Sequence, residues 1–128
     1  MVPDTAAHRL FFLTAGKGGN ASPKAKELQK AILAPLGLSD TELTVVTRIL
    51  DQFKDDYARI VGEYNATVQA ANKTGASADV KGFLLDRDRL VESTYDAITS
   101  AISKEAVTRF ETHLNSEKRR MKASKDTP

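Results

Sequence analysis

Few side chains in this 128-residue chain are able to do chemistry, and their spacing argues against most of it. Asp51, Asp55 and Asp56 place carboxylates along one side of a periodic segment, and Asp86 and Asp88 stand on the next segment. Carboxylates on adjoining helices can hold two metal ions, but bundle sites of that kind use inward-facing Glu-x-x-His pairs. Here His113 has Glu111 two residues before it and Glu117 four after, so the motif is missing. A solvated acidic face is the expected role, and no EF-hand loop supports calcium. The run Gly16-Lys17-Gly18-Gly19 is glycine-rich like a phosphate loop. It lacks the G-x-x-x-x-G-K-[ST] spacing and follows a helical segment rather than a strand, so a flexible turn is expected. Neither His8 nor His113 adjoins a turn that would present a nucleophile, and the chain has no Cys. Thiol catalysis, disulfides and Cys-ligated zinc are therefore excluded. The expectation is a non-enzymatic protein with no catalytic, cofactor-binding or metal-ligating residues and no cofactor.

Apolar residues make up 41% and charged residues 28%, the balance of a globular chain long enough to bury one core. Aromatics are only 6%, without Trp, which leaves little stacking surface for bases or sugars. The formal charge of +2 is too balanced to argue for nucleic acid by itself, and nucleic acid is not the partner expected on this reading. Charge is unevenly spread: residues 1–38 sum to +3, residues 39–103 to −4 and residues 104–128 to +3. Basic ends and an acidic middle fit terminal helices packed beside the middle ones. Lys118, Arg119, Arg120, Lys122 and Lys125 form a basic tail, read here as cations complementing a helix C-terminus. No apolar run approaches the roughly 20 residues of a transmembrane helix. The start Met1-Val2-Pro3-Asp4 suits a cytosolic N-terminus as well as a mature secreted chain with an added Met. Asn20-Ala21-Ser22, Asn65-Ala66-Thr67 and Asn72-Lys73-Thr74 match the glycosylation pattern, but the middle one lies inside a helical segment, so they are read as chance matches.

Every periodic segment has the helical repeat, so the chain is expected to be all-α: a single domain, a small bundle of about five helices built on a long antiparallel hairpin. Two short helices fill residues 1–38, the first from about Pro3 to Ala15 and stopped by Gly16. The second is opened by Ser22-Pro23 and closed near Pro35, because proline disfavours helical geometry in the residue before it. Ser39 followed by Glu42 forms a capping box, with Leu38 and Leu43 as the hydrophobic staple. From there Leu43, Val46, Leu50, Phe53, Tyr57, Ile60, Tyr64, Thr67 and Ala71 alternate spacings of three and four. That stripe predicts a helix over about 40–73, roughly 48 Å long, ended by Gly75. A partner helix over about 78–102 carries Val80, Phe83, Leu84, Leu90, Val91, Ile98, Ala101 and Ile102. Ser103 caps a last helix over 104–123 with Val107, Phe110, Leu114 and Met121 on one face, and residues 124–128 are expected to fray.

Arg87 interrupts the apolar stripe of the fourth segment. In a hairpin turning near residue 76 it comes level with Glu63, which predicts an Arg87–Glu63 ion pair. The alternative is that Arg87 marks a groove for a partner.

At an offset of 64 residues, Leu38-Ser39-Asp40-Thr41-Glu42 is echoed by Ile102-Ser103-Lys104-Glu105-Ala106. These two sites, with the hairpin between them, resemble the Spy/CpxP family of periplasmic helical proteins, marked by two Leu-Thr-x-x-Gln motifs that each open a helix. The first site keeps the apolar residue and the hydroxyl cap but has Glu42 for Gln; the second has Ala106 in that position. The opening Val2-Pro3-Asp4 with Leu10-Phe11-Phe12, and the ending Glu117 to Lys122, also resemble uncharacterised secreted helical proteins of bacteria. The Spy/CpxP resemblance implies a thin helical cradle, often dimeric, that binds unfolded clients or a sensor partner in the periplasm. It makes a protein partner the expected ligand, through an apolar face of the hairpin. The rival expectation is a structural or assembly domain that buries that face in a homodimer.

Overall fold

The computed structural model describes residues 4–19 and 22–126, the side chains of residues 120–126 excepted. Among the described residues all regular structure is helical: α1 (Asp4–Ala15), α2 (Pro23–Leu33), a 3₁₀ turn (Ala34–Leu36), α3 (Asp40–Thr74), α4 (Val80–Ala101) and α5 (Lys104–Asp126). Local sequence sets most of these bounds. The Ser22 hydroxyl accepts the Ala25 N–H, with Pro23 at the first helical position. Gly75 ends α3 in the left-handed region at φ 75°, a conformation that costs a side-chain-bearing residue about 1 kcal/mol or more. Asp79, unremarked in the sequence, caps α4 by accepting the Gly82 N–H.

Two helix ends differ in detail from expectation. Helix α2 ends at Leu33, near Pro35 as expected, but Ala34 keeps a helical conformation and the segment tightens into the 3₁₀ turn before Gly37 reverses it. Helix α5 continues to Asp126 rather than fraying from Ser124. Pro3 and the loop residues Asn20 and Ala21 lie outside the described residues, as does the side chain of Met121.

Helices α3 and α4 form the expected hairpin, and α1, α2 and α5 pack at its base. The core there is aromatic at its centre. Phe12 is fully enclosed, its ring edge-on to Phe53 at 5.4 Å and stacked on Phe110 at 6.5 Å. Leu33, Leu36, Val46, Leu50, Val91 and Ile98 close around these rings. Helix α1 crosses α3 at Gly16, where an added Cβ would stand 2.6 Å from the Leu50 carbonyl oxygen; only glycine permits that approach.

The hairpin outruns the core. Among the described residues none between Phe53 and Val91 is buried. The distal part of α3 and the first half of α4 therefore project as a two-helix arm, about 32 Å long from Phe53 to Thr74 at roughly 1.5 Å per residue.

Candidate functional site

The arm is held together along one seam, where Tyr64 stacks on Phe83 with ring centroids 4.5 Å apart. That contact fixes the antiparallel register and brings Arg87 level with Ile60 rather than Glu63. The expected Arg87–Glu63 ion pair is accordingly not formed. Glu63 accepts from Arg59 one turn earlier at 3.4 Å, and the Arg87 Nε donates to Asp88 at 3.2 Å. The physical reason is reach: Arg59, one turn away on the same helix, and Asp88, the chain neighbour, satisfy Glu63 and Arg87 without a bridge across the seam.

On the side of the hairpin that α1 covers at the base, the apolar stripe continues up the arm without a cover. Tyr57, Val61 and Val68 on α3 are half-buried, and Val80 and Leu84 on α4 are 47% and 37% exposed. By the helical repeat, Val80 and Leu84 share the α4 face of the buried Val91 and Ile98. Leu85, 51% exposed, lies about 100° further round the same helix. No helix of the described residues is long and apolar enough to cross a membrane, so this stripe is not part of a membrane span.

The two echoed motifs meet in space, although nothing in the sequence shows that they touch. Ser39 accepts the Glu42 N–H at 3.2 Å, and Glu42 Oε1 accepts the Ser39 N–H at 3.0 Å, which completes the capping box. The same carboxylate's Oε2 accepts the Ser103 N–H at 2.6 Å, while the Ser103 hydroxyl caps α5 through the Ala106 N–H. One side chain thus ties the starts of α3 and α5 together. These backbone donors hold the Glu42 carboxyl below its usual range. Alongside, Arg109 donates to the carbonyls of Leu36 and Gly37 at 2.6 and 3.1 Å, which joins the 3₁₀ turn to α5. Ser103→Ala is expected to cost about 1 kcal/mol, read as a lower urea midpoint with an unchanged slope. Glu42→Gln should remove the part of the acid sensitivity that comes from this junction. The folded Glu42 pKa is depressed, so its stabilisation is present above about pH 4.3 and lost as pH falls through the folded value.

Asp51 overturns the reading of a purely solvated acidic face. It accepts from the Lys17 ammonium at 2.6 Å, the Lys17 N–H at 3.1 Å and the Gln29 amide at 2.9 Å. The Gly16–Gly19 turn is thereby clasped to α3, and Lys54 adds a hydrogen bond to the Gly16 carbonyl at 3.1 Å. Burial pushes the Asp51 carboxyl up, but the hydrogen bonds from Lys17 and Gln29 outweigh it and hold the pKa down. Asp55 and Asp56 are exposed and half-exposed, and Asp86 is exposed.

The histidines sit at packing contacts. His113 meets the edge of Phe11 beside an apolar cleft of about 350 Å³ between α1, α2 and α5. His8 stacks on Tyr95 at 4.7 Å with the rings nearly parallel, and the Tyr95 hydroxyl donates to Glu111 at 2.7 Å. Lys118, from the basic tail, binds Asp4 at 2.5 Å; the side chains of Arg120, Lys122 and Lys125 lie outside the described residues. Burial lowers the His8 pKa, and burial with the Glu111 hydrogen bond pushes Tyr95 up to about 12. This cluster joins α1, α4 and α5, and its pocket holds no aliphatic hydroxyl as nucleophile. Among the described residues no group of three His, Asp or Glu side chains is placed to hold a metal ion.

The architecture defines an all-α bundle with a projecting helical hairpin. Compared with protein-family models, curated proteins and solved structures, the chain matches none.

Proposed function

We propose that this chain is a non-enzymatic protein-interaction module that docks protein through the uncovered face of its arm. The observation that carries the reading is the apolar stripe that leaves the core at Phe53 and Val91 and runs on, uncovered, through Val61, Val68, Val80 and Leu84. An apolar stripe that continues, half-exposed to exposed, beyond the core supports a reading as an interaction surface. The base supplies the rigidity: the aromatic core and the Glu42 junction fix the root of the arm. The Spy/CpxP resemblance supports the envelope of a bacterium as the setting and an unfolded or sensor protein as the partner.

A dye that fluoresces on apolar surface and a reduced, aggregating client protein test this reading together. The wild-type chain should bind the dye and suppress client aggregation near stoichiometric ratio. Leu84→Glu, which charges the middle of the face, should lose both effects while keeping its helical circular dichroism. Equal dye binding and equal suppression by wild type and variant would refute the reading.

A further inference from the structure

We infer that the cleft between α1, α2 and α5 is a binding site for a small organic cation, an apolar body that carries a protonated amine. The cleft lies in the base, so this inference stands apart from the reading of the arm.

Its walls are preformed. The cleft, of about 350 Å³, is lined by Leu10 and Phe11 from α1, Ala31 and Ile32 from α2 and Pro35 from the 3₁₀ turn. That volume is at the lower end of the roughly 300–1,000 Å³ of small-molecule sites, which are apolar clefts with a few placed polar groups. Phe11 is fixed by its tilted contact with Phe110 at 5.8 Å, and the two hydrogen bonds from Arg109 hold the 3₁₀ turn to α5. Leu10 is left 43% exposed, and an apolar body seated here covers it.

The polar end is supplied by α5. The apolar stripe of that helix passes through the buried Phe110 and Leu114, and its spacing puts the next member at position 117. The chain has Glu117 there, half-buried and lining the cleft, with His113 one turn before it. Among the described residues that line the cleft Glu117 is the one acid, and no Lys or Arg joins it. The ammonium of Lys118, next along the chain, is held by Asp4 at 2.5 Å, and the Thr14 hydroxyl donates to the Leu10 carbonyl at 2.8 Å. A cation is therefore the head group that this cleft complements. An ammonium donates to the Glu117 carboxylate in a charge-assisted hydrogen bond, a hydroxyl donates more weakly, and a carboxylate is repelled.

The test uses the isotope-labelled full chain and three probes of one chain length, octylamine, octan-1-ol and octanoate, each titrated by two-dimensional NMR from about 10 μM to 5 mM. Octylamine should shift the amides of Thr14, Ile32 and His113 and bind about tenfold more tightly than octan-1-ol, with octanoate weakest. Glu117→Gln should bring octylamine down to the level of octan-1-ol and leave the alcohol unchanged. Ala31→Trp, at an exposed position whose new ring fills the cleft, should abolish binding of all three. Circular dichroism on each variant separates a lost site from a lost fold. Leu84→Glu, on the arm, should leave every curve unchanged. No shift of the cleft amides with octylamine overturns the site. Equal binding of octylamine and octanoate, or octylamine binding unchanged in Glu117→Gln, overturns its preference for a cation. Shifts confined to residues 54–90 and lost in Leu84→Glu would assign the amine to the arm face, overturning the cleft site while leaving the docking reading in place.

Discussion

Phe12→Ala should be the most damaging single truncation, costing about 4 kcal/mol and lowering Tm by about 15 °C. The ring is fully enclosed and touches Phe11, Phe53 and Phe110, so its removal leaves a cavity that three helices would have to move together to fill. Against a typical domain stability of about 5–15 kcal/mol, this loss brings the base near the edge of unfolding. Phe83→Ala is the contrasting case. That ring packs on Tyr64 but is only half-buried, and the expected cost is about 1–2 kcal/mol, confined to the arm. Chemical denaturation of both variants, with hydrogen exchange resolved by segment, checks the pair. Phe12→Ala should speed exchange throughout the base, whereas Phe83→Ala should speed it in residues 54–90 only. Equal costs would mean that arm and base form a single cooperative core.

Asp51→Ala should cost about 2–3 kcal/mol at neutral pH. Removing the carboxylate strips the Lys17 ammonium, the Lys17 N–H and the Gln29 amide of a shared acceptor. Gln29 is 5% exposed and keeps only the Ala15 carbonyl, so water cannot fully replace what is lost. The effect carries a pH signature. The folded Asp51 pKa lies below the unfolded value, so the unfolded chain takes up the proton first as pH falls. The stabilisation is complete above the unfolded pKa of about 4 and disappears as pH drops through the folded value. Asp51→Asn, which mimics the protonated side chain, should be clearly less stable than wild type at pH 7. The gap should close as pH falls through the folded value. A gap constant over the whole range would show that the Lys17 and Gln29 contacts contribute nothing through charge.

What was readable from sequence follows from the range of the forces involved. Capping boxes, prolines at first helical positions and terminal glycines act over about four residues, so Ser39–Glu42, Ser22-Pro23, Gly75 and Ser103 mark the real boundaries. Asp79 carries the same kind of signal at the start of α4, whereas the partners of Arg87 and Glu63 depend on side-chain conformations that spacing does not encode. The contacts that organise the base span much longer separations, as from Lys17 to Asp51, Glu42 to Ser103 and Arg109 to Leu36. Periodicity shows which face of a helix is apolar but not which helix covers it. For the same reason the stripe of α3 looks uniform in sequence from Leu43 to Ala71, while in the fold only its first half has a cover. The arm is visible only once the bundle is assembled, since it consists of the positions that no other helix reaches.

The architecture divides labour simply. Aromatic packing and two polar clasps, at Asp51 and at Glu42, fix the root of a long hairpin, and the hairpin carries an apolar face beyond the core. The most direct test of that face is a photo-crosslinking side chain placed at Leu84 in one preparation and at Leu85 in another. Each purified chain is irradiated with a purified, reduced client protein. Crosslinks to the client should form from position 84 and be nearly absent from position 85. Equal yields from both positions, or none from either, would contradict a docking face on the arm.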